Sequence, residues 1–509
     1  MDKTGHTNSK RIVQPKPRRM WIAGCLEMRR RMADIFQGNF QKRDEEIKKL
    51  LRIEDSFDLI RRRFVIGGRQ AAFYTVDGFL KGEVSEKVME FFYKITPEQM
   101  PEDFADFLQQ EIPYLDLMKL ADQEAFVKAV LSGMSCLLVE GYDIIIALDF
   151  REYPGRSVDE PDKDKVLRGA RDGFIESLIP NMALIRRRIR DPELSFTLVD
   201  IGRSSKTDVA VCYMRNRVNP GVLRELMKRL RGIDVDSLTM NQESLGECIF
   251  KKGWLNPFPK FKFSERPDTT AACILEGSIV ILCDNSSAAM ILPTSLFEII
   301  EDANDYYFPP VTGTYLRFSR FVINVVSIFL TPVFILLMQH EDWVPHAFEF
   351  IKIQDPMYIP PVAQLLILEV AIDGLRMAAV NTPNMLNTPL SIIAGIVFGD
   401  YTVKAGWFNS EIMLYMAFVA IANYSQSNME LGYAIKFMRI QLLILTGIFG
   451  LWGFLAGTVI LIVTPLCTRT INGRNYLYPL LPFDKVQLMK RFFRVSLSEN
   501  EKLNHQSSK

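Results

Sequence analysis

Residues 321–338 are apolar except for Asn324, Ser327 and Thr331, a run close to the roughly 20 residues that cross a bilayer as one helix. Further apolar stretches fall at about 358–380, 386–399, 410–424, 434–450 and 452–467, which predicts four to six membrane segments. The run 391–399, closed by Asp400, is short for a span of its own. Gly447, Gly450, Gly453 and Gly457 crowd one pair of these segments and suit close helix packing.

The first 315 residues are patterned differently, with charges throughout. Helical spacing is read at 60–64, 86–95 and 119–132, with turns at Pro97 and Pro101 and a Gly67-Gly68 turn. Strands are expected at 136–139 and 142–148, joined as a hairpin through Glu140-Gly141. A polar connector, 151–161, leads to a helix at about 173–190 that stops at Asp191-Pro192. Beyond it the pattern predicts strands at 195–201, 208–214, 273–275, 278–283 and 288–292, a helix at 220–231 opened by Pro220, and a tight turn at Asp284-Asn285-Ser286-Ser287. The fold class is therefore an α/β soluble N-terminal region of two subdomains followed by an all-α polytopic membrane domain. The expected divisions are a basic arm at 1–54, a first soluble subdomain with its linker helix at 55–190, a second at 191–312, a transmembrane helical domain at 313–468 and a basic cytoplasmic tail at 469–509.

Composition alone would have hidden this split: 48% hydrophobic residues, 24% charged and a net charge of +1 describe an ordinary chain. Seven cysteines without a CxxC pair read as reduced thiols, and four histidines without ligand spacing give no metal site. The first 40 residues hold no signal-peptide core, and Ile22-Ala23-Gly24-Cys25 lacks the apolar run that would make it a lipoprotein box. Targeting then falls to the first membrane segment. Basic residues set its orientation. Arg317 and Arg320 precede it, the acidic loop 339–357 follows it, and Arg469, Arg474, Lys485, Lys490, Arg491 and Arg494 mark the tail, so both ends are expected on the cytoplasmic side with an even number of crossings.

No phosphate-binding loop, dinucleotide fingerprint, HExxH or GxSxG is present, so no catalytic residue, cofactor or nucleic-acid partner is expected. Candidate chemistry lies in the membrane region. Glu369, Asp373 and Arg376 share one helical face. Three charges at mid-depth would cost about 8–10 kcal/mol on insertion scales, against about 3–6 kcal/mol returned by the ten Leu, Ile and Val residues of 358–380. The stretch needs shelter, either as an internal salt bridge of Arg376 with a carboxylate or as a hydrophilic lining. The polar, twice proline-broken run 381–389 follows, and such backbone is tolerated at membrane depth only where protein or a cavity covers it. Glu369, Asp373, Asn387, Thr388 and Ser391 are the candidate ion-pathway residues, with Arg376 holding the carboxylates.

Several motifs follow one another in order: Arg156-Ser157-Val158-Asp159-Glu160-Pro161, Arg168-Gly169, Arg171-Asp172-Gly173-Phe174, Asn181 to Arg188, Ile201-Gly202-Arg203, Glu265-Arg266-Pro267-Asp268, Leu275-Glu276-Gly277 and Tyr476 to Phe483. Over about 55–485 the sequence resembles the GerA family of bacterial spore germination proteins, the A subunits of germinant receptors. Leu451-Trp452-Gly453-Phe454 and Thr470 to Arg474 point to a sporulation-protein subgroup within it. One departure is Asn285, where many members carry Gly; Asn also tolerates left-handed backbone. The resemblance implies a multi-pass protein of the spore inner membrane with its soluble subdomains facing the core. It implies homo-oligomers that release cations when nutrients are sensed, and partners among other germination membrane proteins, a B-subunit-like or small accessory one. A non-conducting scaffold for such complexes is the competing expectation.

Overall fold

The computed structural model describes residues 35–494 apart from 37, 112–115, 121, 155–168, 251–255, 382–394, 396–400, 427 and 472. The chain divides into two compact units, one formed by residues 1–157 with 179–198, the other by 158–178 with 199–509.

In the first unit, β1 (Leu59–Ile66), β2 (Arg69–Val76), β3 (Asp116–Leu120), β4 (Ser135–Val139) and β5 (Ile145–Asp149) form one antiparallel sheet in the order β1-β2-β4-β5-β3. Side-chain alternation sends Ala72, Tyr74, Val76, Cys136 and Leu138 to a layer with α1 (Phe40–Leu51) and α4 (Gln123–Leu131). Ala71, Phe73, Leu137 and Val139 face the opposite layer with α2 (Gly82–Lys94) and α3 (Phe104–Glu111). Residues 60–64 thus lie in a strand, where their spacing suggested a helix. Gly67 (φ 50°) and Gly68 (φ 76°) close a two-residue hairpin, and the eight-residue register with β2 overrides the local pattern.

A buried ion pair closes this unit. Arg186, on α5 (Leu178–Arg188), donates from Nε to Asp58 Oδ2 at 2.6 Å and from Nη2 to Oδ1 at 2.9 Å, and its remaining donors reach the carbonyls of Asp191 and Leu194. Both side chains are shut from solvent.

The second unit resumes within β6 (Leu194–Ile201). With β7 (Thr207–Met214), β8 (Lys262–Ser264), β9 (Ile279–Cys283) and β10 (Ala289–Leu292) it makes a sheet in the order β6-β7-β9-β10-β8. Helices α6 (Pro220–Arg231) and α7 (Asn241–Ile249) bury Val222, Leu226, Leu230 and Leu245 on one face. Residues 273–275 are helical rather than a strand: Pro267 opens α8 (Pro267–Leu275), which runs to Leu275 and is followed by Gly277 at φ 100°. Asn285 takes φ 59°, the left-handed turn geometry expected of it. Each described cysteine is a free thiol; Cys25 lies outside the described residues.

After α9 (Leu296–Ile300) and α10 (Asn304–Tyr307) the chain enters a helical part: α11 (Pro310–Gln339), α12 (Pro361–Asn381), α13 (Ser410–Tyr424), α14 (Met429–Cys467) and, past the bundle, α15 (Lys485–Phe492). Helices α11 and α14 are long and apolar enough to cross a membrane. On α14, Ile448, Phe449, Trp452 and Val459 are more than half exposed, whereas Asn324, Ser327 and Thr331 of α11 point inward. An apolar outside over a polar inside suits a lipid surrounding. The stretch 386–399 lies outside the described residues apart from Gly395.

Contacts fix the helix directions. Gln364 near the start of α12 donates to Asn409, just ahead of α13, at 2.8 Å, and Arg376 near its end lies over the ring of Tyr424 at the end of α13. These two helices therefore run parallel. The first half of α14 runs against them, as Lys436 meets Asp373 and Gly447 abuts Val362. Gln339, ending α11, donates to the carbonyls of Thr446 and Gly447, so α11 runs with that half. At Gly450 (φ 58°, ψ −136°) α14 folds back on itself, and the positions of Gly457 and Leu442 come together. The two apolar runs 434–450 and 452–467 are thus two arms joined directly at a glycine. Gly450→Ala is expected to destabilise the protein by about 1–3 kcal/mol, because a Cβ strains that backbone; a melting curve of the detergent-solubilised protein checks this.

Candidate functional site

Four charged side chains meet inside the helical part. Glu369 and Asp373, four residues apart on α12, face Lys436 and Arg439, three apart on α14. Arg439 Nε donates to Glu369 Oε1 at 2.8 Å, and its Nη2 lies 2.6 Å from the same oxygen. Lys436 Nζ lies 3.2 Å from Glu369 Oε2 and also pairs with Asp373. On the third side, α11 offers Ser327, whose Oγ accepts from Arg439 Nη1 at 2.8 Å. Two cations and two anions cancel, which lets Arg439 and Glu369 stand 0% and 3% exposed. Asp373 is the open member, with 32% of its side chain exposed.

Asn324 and Thr331 flank Ser327 by about a turn of α11, and both are buried. Among the described residues, neither amide atom of Asn324 nor the Thr331 hydroxyl has a hydrogen-bond partner. In an apolar bundle such atoms ask for water or an ion. These three residues stood out in sequence as polar exceptions, but their inward stripe needed the helix directions.

Arg376 does not hold the carboxylates. Its guanidinium lies over the rings of Tyr424 at 4.9 Å and Tyr433 at 5.4 Å, and Lys436 and Arg439 take the role expected of it. Those two basic residues were the missed signal: a pair three apart in an apolar run, complementary to an acidic pair four apart in another. Asn387, Thr388 and Ser391 lie outside the described residues.

A second network sits where α11 begins. Arg320 clamps Asp305 through two hydrogen bonds of 2.8 and 2.6 Å, and Arg317 lies 3.4 Å from Asp305 and 3.5 Å from Glu301. From α15, Arg491 pairs with Glu301 at 2.9 Å and Glu298 at 2.5 Å. Burial works against the Arg491 cation, yet the Glu301 and Glu298 carboxylates hold its pKa above the ordinary arginine value. Arg317 Nη1 donates to the Lys490 carbonyl at 2.8 Å. The second sheet's flank, the first long helix and the C-terminal helix are thereby fastened together. Tyr476, fully buried, adds an apolar tie with Phe258, Ile299, Leu431 and Ile435.

The motif residues gather nearby. Arg266 and Asp268 pair at 2.6 Å, Arg266 also donates to the Ala170 carbonyl at 2.9 Å, and Tyr307 donates to Asp268. Gly169 (φ 117°) lies so close to the Tyr307 ring that a Cβ there would overlap it. Motifs a hundred residues apart thus build one joint. The GerA family, described as Bacillus/Clostridium GerA spore germination protein, matches residues 45–506.

The chain belongs to the GerA family.

Relatives within it carry names from sporulation and germination. Stage V sporulation protein AF of Bacillus subtilis (strain 168) is 32% identical over 90% of this chain and 93% of its own length. Spore germination protein KA of the same organism is 25% identical over 93% and 88%, and spore germination protein A1 is 24% identical over 84% and 89%. Among solved structures, the N-terminal domain of the A subunit of the Bacillus megaterium spore germinant receptor GerK3 aligns at 26% identity with a TM-score of 0.39, covering 50% of this chain and 95% of that one. GerA membership supports a role in spore germination.

Proposed function

We propose that this GerA-family chain is a multi-pass subunit of the spore inner membrane that forms homo-oligomers, joins other germination membrane proteins and takes part in ion release. The soluble subdomains and the C-terminal tail face the core. The start of α11 and the end of α14 lie at one end of the bundle, which supports an even number of crossings. In this reading the chain divides near 54, 190, 312 and 468.

The observation that carries the ion-release reading is the inward polar stripe of Asn324, Ser327 and Thr331, joined through Ser327 and Arg439 to a charge cluster whose Asp373 is 32% exposed. Asp373→Asn keeps Glu369 paired with both cations and removes the open charge. It is expected to change the rate of potassium release from germinating spores without lowering protein level, measured by flame photometry and immunoblot. Unchanged release kinetics would remove Asp373 from the pathway.

A non-conducting scaffold is the second reading. It draws on the closed Glu369–Arg439 pair, which needs no ion to be satisfied. Purified protein in potassium-loaded liposomes separates the two: a scaffold gives no flux with any germination partner.

A further inference from the structure

The four-charge cluster leaves one cation of α12 unused. Arg376 lies two turns nearer the end of the helix than Glu369 and, among the described residues, has no carboxylate partner. Its guanidinium is held against the faces of two tyrosines, which fixes its plane and leaves its N–H edge to be filled. Beside it opens a cavity of about 360 Å³, bordered by Asn423, Tyr424, Gln426, Met429 and Gly432. That volume is within the roughly 300–1,000 Å³ typical of small-ligand sites. Its wall sets the Asn423 amide and the Gln426 side chain, whose Nε2 donates to the Ala422 carbonyl at 3.1 Å, beside an apolar side, as a molecule with a charged head and an alkyl body requires.

Depth makes the same selection. Arg376 stands five residues before Asn381, the last residue of α12, or about 8 Å along the axis. That end of α12 is the end at which the antiparallel α11 begins, beside the second soluble sheet. In the proposed orientation it is the inner leaflet, where anionic lipids concentrate and each nearby Arg contributes about 1 kcal/mol of attraction.

We propose that Arg376, framed by Tyr424 and Tyr433, binds the phosphodiester of an anionic lipid such as phosphatidylglycerol at the core-facing end of the bundle. This rests on the membrane reading above and adds a ligand to it. The phosphate oxygens take the guanidinium edge in a forked pair, the Asn423 amide faces the glycerol, and an acyl chain leaves past Met429.

The test uses the full chain in nanodiscs of phosphatidylcholine with or without phosphatidylglycerol, followed by melting and by mass spectrometry of retained lipid. Wild type is expected to melt higher with phosphatidylglycerol and to retain it. Arg376→Gln is expected to cut retention about fivefold. Gln426→Glu, which sets a carboxylate on the cavity wall and leaves Arg376 in place, is expected to do the same. Arg224→Gln, on the distant soluble helix α6, is expected to retain lipid as wild type does. Full retention by both site variants overturns the proposal, as does a wild type with no preference for phosphatidylglycerol. An equal melting shift from inorganic phosphate in pure phosphatidylcholine discs overturns the lipid as the source of the phosphate. A chain that stays out of the discs overturns the membrane reading itself.

Discussion

Replacing Arg439 with methionine is expected to cost about 3–5 kcal/mol and to deplete the folded protein from membranes. Glu369 then keeps only Lys436, which Asp373 also claims, and a net negative charge is left inside the bundle. The Ser327 hydroxyl loses its donor as well. The paired change Arg439→Met with Glu369→Met removes one anion with one cation and leaves Lys436 with Asp373. Buried pairs replaced by apolar side chains of similar volume are often neutral, so the double variant is expected to recover most of the loss. Melting of the four proteins of this cycle in detergent measures the coupling. A double variant as unstable as the single would mean that Arg439 acts through packing alone.

The second large effect is expected at Asp305. Its carboxylate is fully buried under Arg320 and Arg317. Asp305→Ala strands the Arg320 guanidinium at the root of α11 and leaves Arg317 with Glu301 alone, for a loss of about 3–5 kcal/mol and a fall in apparent Tm on the order of 10 °C. Arg320 bonds Asp305 through both oxygens, so Asp305→Asn is expected to be damaging too, although less so, since the amide keeps one acceptor. A Tm within a degree or two of wild type for Asp305→Ala would show that Glu301 alone satisfies the two arginines.

Local, periodic signals in the sequence carry through to the fold. The apolar run 321–338 lies inside α11, Pro220 opens α6 where a proline belongs, and Asn285 keeps its left-handed turn. Spacing misleads where tertiary pairing outweighs it. Arg61, Arg62 and Arg63 look helical beside Ile60 and Phe64, yet the Gly67-Gly68 turn commits them to a strand edge. The acidic half of the buried cluster was visible, because Glu369 and Asp373 interrupt an apolar stretch. Its basic half was not, because Lys436 and Arg439 sit some 65 residues on, and only the antiparallel run of α14 against α12 brings them together.

The Arg186–Asp58 lock has a practical corollary. The chain leaves the first unit after residue 157, returns at 179 and departs again at 198. A chimaera that exchanges only residues 35–157 between family members would set an imported Asp58 against the resident Arg186. A cassette that carries 179–198 along with it transplants acid and base as a matched set.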